Sequence, residues 1–164
     1  MLDKGENLTL AGDIKRFPQE YSLTGSKGSE LLKDFYDHTR RNRDEGDSLA
    51  DVLRNHQYAP DYYKLTLSFD TLFLNIWEDQ KRFEKNFIDK NINSLSSLLV
   101  LNYAFGPRPV LSEDEDFNYY LKVDSSLMNS FPLNKHVIYH HKRIVEYQRQ
   151  KQAKNLETDK LQRK

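Results

Sequence analysis

Apolar side chains at Leu65, Phe69, Leu72, Ile76, Phe83 and Phe87 recur at steps of four, three, four, seven and four. Those steps trace one face of an α-helix with about 3.6 residues per turn. Phe73, Leu74 and Trp77 widen the stripe past half the circumference. A helix so apolar must be covered by protein on several sides. The pattern predicts a long central helix over residues 60–89, with Leu72 and Ile76 in a packed core. Pro60 suits a first helical turn, and Asp61 suits the positive pole of the helix dipole. Between Tyr63 and Asp70 apolar and polar residues also alternate, as in a strand. The length of the helical stripe decides for helix.

Weaker patterns flank it. Leu8, Leu10, Ile14, Phe17, Tyr21 and Leu23 have no clear period and predict an N-terminal arm laid over the body. Thr24 to Gly28 has the composition of a loop. Ser29 is placed to cap a helix that runs to about Arg43 and buries Leu31, Leu32, Phe35 and Tyr36. Asp44-Glu45-Gly46-Asp47 reads as a break, followed by a short helix Ser48–His56 that buries Leu49, Val52 and Leu53. Ser94 suits the cap of a helix carrying Leu95, Leu98, Leu99, Leu101 and Tyr103, which Gly106-Pro107-Arg108-Pro109 ends. Ser112 to Asp116 reads as an exposed acidic loop, and residues 117–128 as helix in preference to strand. A last helix starts near Asn134, with Val137, Ile138, Ile144 and Val145 facing inward. Beyond Gln148 there are two Leu and no aromatics, so this end has no face to bury in the chain itself.

The expected fold is therefore all-α. It is an irregular bundle of five or six helices around the long central helix, with an extended N-terminal arm and a protruding basic C-terminal helix. The matching organisation is an arm at 1–28, a helical domain at 29–148 and a basic tail at 149–164.

Composition adds limits. The 164 residues suit one domain, and ten Tyr, nine Phe and one Trp suggest a core built partly on rings. With no cysteine, disulfides, thiolate metal sites and a cysteine nucleophile are excluded. No apolar run reaches the roughly 18 residues of a membrane helix, and the N-terminus lacks a signal-peptide pattern. A protein with no membrane partner, intracellular and soluble in cytoplasm or nucleus, is the expectation. Net charge is zero but uneven: residues 134–164 hold nine Lys or Arg against three Asp or Glu. The split predicts a basic arm on a mildly acidic body.

Candidate chemistry is sparse. His136 and His140 are four apart and share a helical face, as two imidazoles on one metal would. The position after His136 is Val137 where a zinc protease needs Glu, and no third ligand is assigned. A solvated or partly buried histidine cluster at a helix start is the better reading, and no cofactor is expected. Asp34, Asp37 and Asp44 resemble ordinary surface charges more than nuclease carboxylates. Nucleophile motifs and Gly-rich phosphate loops are missing, so the balance goes against an enzyme. The basic end is the strongest signal. Lys142, Arg143, Arg149, Lys151 and Lys154 are its candidate contacts for a partner protein or for nucleic acid.

A non-enzymatic interaction subunit or adaptor is the leading expectation. It would dock a larger assembly through an aromatic-rich surface and its C-terminal helix. A small sequence-independent nucleic-acid-binding protein using the basic arm is second. An enzyme of unrecognised type, such as a metal-dependent nuclease, is third. The pattern assigns no oligomeric state.

Overall fold

The computed structural model describes residues 6–18, 20–105 and 108–162, with side chains as far as residue 155. Five helices dominate: α1 (Lys27–Asn55), α2 (Tyr62–Lys90), α3 (Leu95–Leu101), α4 (Phe117–Ser130) and α5 (Lys135–Gln162). The all-α expectation holds at that level, and residues 117–128 are helical. Two short ribbons accompany the helices. β1 (Thr9–Ala11) pairs antiparallel with β2 (Ser22–Thr24), placing Leu10 opposite Leu23. β3 (Ala104–Phe105) pairs with β4 (Arg108–Pro109). The N-terminal arm thus carries a small hairpin, and β2 lies against α1. Gly106 and Pro107, expected to end a helix, lie outside the described residues; α3 has already ended at Leu101.

The chain enters α1 earlier than expected. Ser26, three residues before Ser29, is the N-cap and accepts from the Ser29 N–H at 3.4 Å. Gly25 makes this entry possible, with φ of +94°. An added Cβ there would meet the Asn7 carbonyl oxygen at 2.0 Å. The Gly25 N–H donates to Glu30 Oε1 at 3.0 Å. Ser94 caps α3 as expected, accepting from the Ser96 N–H at 3.2 Å. Asn134 does the same for α5, accepting from the His136 N–H at 2.9 Å. Pro60 stands just outside α2, whose N-cap is Asp61.

The expected break at Asp44–Asp47 does not occur. One unbroken 29-residue helix crosses it, so the predicted pair of helices is a single α1. The reason is tertiary. Leu49, Val52 and Leu53 close on Leu65, Phe69 and Leu72 of α2 around a cavity of about 50 Å³. Gly46 weakens a helix interior by only about 1 kcal/mol against Ala, less than those contacts return. An added Cβ at Gly46 meets nothing within 4 Å. Gly46→Ala is therefore expected to raise the unfolding free energy by about 0.5–1 kcal/mol, read by urea denaturation.

Core packing is concentrated at one end of the α1–α2 hairpin. Phe35 sits among rings, with centroids at 5.1 Å from Tyr103, 5.8 Å from Phe87 and 6.0 Å from Phe83. Ile88, Val100, Leu101, Leu111, Val123, Leu127, Val137 and Ile144 complete a cluster drawn from α2, α3, the loop before α4, α4 and α5. The Tyr120 hydroxyl closes the cluster from inside, donating to the Leu111 carbonyl at 2.9 Å. The other half of the hairpin, residues 44–75, contributes no residue to this cluster. Ile76 is buried as expected, but Leu72 is 46% exposed. The apolar stripe of α2 continues past the core that covers it.

Candidate interaction surface

Where α1 and α2 leave the core, their contact turns polar. Asn42 Nδ2 donates to Gln80 Oε1 at 3.1 Å and to Asp79 Oδ2 at 3.2 Å. Gln80 Nε2 in turn donates to Thr39 Oγ1 and to Glu84 Oε1, each at 3.0 Å. The His38 ring stacks on Phe83 at 3.7 Å, with Nε2 3.2 Å from Asp79. Burial of that ring outweighs Asp79 and holds its pKa below the usual value. Glu84 has no accessible surface, and its Oε2 has no hydrogen-bond partner. Burial pushes its carboxyl up to about 8, the Gln80 bond opposes this, and the Asp116 charge adds to it. Glu84 is thus largely neutral at pH 7. Enclosed as it is, it cannot reach a substrate. The one sequence signal for this seam was the step of seven between Ile76 and Phe83, which passes over a polar Gln80 at a core position.

Beyond the seam the hairpin is apolar and open. Leu65, Phe69 and Leu72 face α1. On the opposite side of α2, at 100° per residue, Tyr63, Leu67 and Leu74 form a second stripe with steps of four and seven. Their exposures are 74%, 52% and 59%. Val52 of α1 is also exposed, whereas Trp77 is partly covered by Phe105 at 6.2 Å. Val52, Tyr58, Tyr63, Leu67, Leu72 and Leu74 are all large apolar residues left exposed on this arm. The sequence pattern put Val52, Leu72 and Leu74 among covered positions and left Tyr63 and Leu67 outside the helical stripe, because periodicity does not tell which side of a helix is covered.

The basic end is arranged differently from a free cationic patch. Arg143 Nε pairs with Glu113 at 2.7 Å and its Nη1 donates to Asn102 at 3.0 Å. Lys151 lies over the Phe117 and Tyr147 rings, at 5.8 and 6.0 Å from their centroids. Lys154 borders a hollow shared with Asp114, Tyr147 and Asn155. Lys142 and Arg149 are exposed. Arg143 and Lys151, then, are held against α4 and its preceding loop. Val145 is 49% exposed, so it is not the inward anchor expected. The Leu161 side chain, Arg163 and Lys164 lie outside the described residues.

The acidic loop explains where those cations go. Asp116 is buried and receives Lys85 at 2.7 Å and Lys81 at 3.2 Å. These two ammonium groups and the Ser112 N–H hold its carboxyl below the usual range, against the opposing effect of burial. Glu113 takes Arg143, and Asp114 accepts from the Tyr147 hydroxyl at 2.6 Å. The loop read as exposed is a brace joining α2 to α5, although Asp114 and Glu115 themselves stay at the surface.

The two histidines separate. His136 is exposed, while His140 is buried with Nε2 unpartnered and its pKa held down by burial. His141 binds Asp124 at 2.9 Å. Among the described residues no three His, Asp or Glu side chains gather as metal ligands. Asp37 is tied to Lys33 and Arg40, and Asp34 and Asp44 are exposed. No described helix is long and apolar enough to cross a membrane. The chain matches no family model, and no curated protein or solved structure is significantly similar to it.

Proposed function

We propose that this protein is a non-enzymatic interaction subunit whose docking surface is the outer half of the α1–α2 hairpin. One observation carries the reading: Tyr63, Leu67 and Leu74 form an exposed stripe on a helix whose other face is already in use. An apolar stripe of this kind costs free energy in water until something covers it. The distal part of α5 is the second contact in this reading. At 28 residues against 14 in α4, it outruns the helix it packs on by roughly 20 Å. The nucleic-acid reading has less support, because Arg143 and Lys151 are engaged on the body.

The test is capture from native extract with immobilised full-length protein. A defined set of proteins should be retained after nuclease treatment and lost with Leu67→Ser/Leu74→Ser. Retention that nuclease abolishes, or that the double variant leaves intact, removes the proposal.

A further inference from the structure

The charges around the stripe say what should cover it. Residues 44–78 carry Asp44, Glu45, Asp47, Asp51, Asp61, Asp70 and Glu78 against Arg54 and Lys64 alone. Asp51 is paired with Arg54 at 2.9 Å. The other six have no ion-pair partner among the described residues. The arm as a whole is therefore net negative. Asp70 and Glu78 border the Tyr63–Leu67–Leu74 stripe directly, within about 40° of it on the helix.

We infer that the outer α1–α2 arm binds a basic amphipathic helix of another protein, laid along the face of α2 that is turned away from α1. The inference rests on the docking role proposed above and adds the chemistry of the partner. A straight stripe with helical spacing is matched by another helix, whose apolar ridge fits between the stripe side chains. Lys and Arg flanking that ridge would meet Asp70 and Glu78, which sets orientation and speeds encounter. The same charges disfavour the other occupants. A second copy would bring an equally acidic arm to the contact. A phosphate backbone or an anionic lipid surface would be repelled. The chain's own basic tail has the right charge but only Leu156 and Leu161 as large apolar residues after residue 148, too few for the stripe.

The probe is a pair of designed peptides of about 18 residues, long enough to span the stripe at 1.5 Å per residue. Both share one Leu ridge; one has Lys and the other Glu at every polar position. Binding to the full chain is followed by fluorescence anisotropy at two salt concentrations. The Lys peptide is expected to bind at least tenfold more tightly than the Glu peptide, and to weaken with salt. Asp70→Lys/Glu78→Lys should weaken the Lys peptide at least fivefold. Leu67→Ser/Leu74→Ser should weaken it at least tenfold. All four positions are at the surface, so the folded state survives these changes.

If the Glu peptide binds as well as the Lys peptide, and Leu67→Ser/Leu74→Ser abolishes both, the basic partner is wrong and the docking surface stands. If the Lys peptide binds no tighter than about 100 μM, or if the Ser variants change nothing, both readings fall. Self-association in sedimentation that deletion of residues 150–164 abolishes would make the tail the occupant and overturn the inference.

Discussion

Phe35→Ala is expected to lower the unfolding free energy by about 3–5 kcal/mol, the range for deleting a large ring from a packed core. Phe35 is 1% exposed and touches rings of α2 and the Tyr103 ring between α3 and β3. Its loss opens a cavity that Phe83, Phe87 and Tyr103 cannot fill, because each is held by its own contacts. Phe87 and Phe83 sit on α2, and the Tyr103 hydroxyl accepts from Arg43 at 2.8 Å. The contrast is Leu72→Ala. A side chain that is 46% exposed has about half its transfer energy to lose, so this change should remain near 1 kcal/mol. Urea denaturation of both variants checks the pair. Equal losses would mean that the core extends into the outer hairpin and that the arm is not open.

Stability should fall between pH 6.5 and 8, and Glu84→Gln should remove most of that fall. The folded carboxyl is raised to about 8 by burial, whereas in the unfolded chain it ionises near 4.5. Between those values the folded state binds more protons than the unfolded state, so stability decreases as pH rises. The slope approaches about 1.4 kcal/mol per pH unit for a single group. Over 1.5 units this is roughly 2 kcal/mol. Above pH 8 both states are ionised and the contribution is level. Two histidines act in the opposite sense at lower pH. His38 and His140 have lowered values, so their contribution is lost as pH falls below 6.5. Both proteins carry the same histidines, so the difference between their profiles isolates Glu84. Gln keeps the acceptor for Gln80 Nε2 without the charge. Thermal unfolding of both proteins in matched buffers gives the answer. Parallel profiles would mean that Glu84 ionises normally and that water or a cation reaches it.

The helices themselves were readable in the sequence because their periodicity is local. A run of apolar residues at steps of three and four across α2 needs no knowledge of the rest of the chain. Ser94 before α3, Asn134 before α5 and the turn at Gly25 are equally local, since each satisfies backbone groups a few residues away. Three features were decided only by tertiary structure. Helix α1 continues through Asp44–Asp47 because Leu49 and Leu53 find Leu65 and Phe69, residues whose distance along the chain hides the contact. Glu113 and Asp116 became a brace, not a solvated run, because α2 and α5 bring Lys81, Lys85 and Arg143 to them. Periodicity marked the whole of α2 as apolar but carried no information on how far the core would reach along it. That limit is set by where α3, α4 and α5 pack, at the Phe35 end. It leaves Leu67 and Leu74 exposed, because among the described residues no later segment is folded back to cover them.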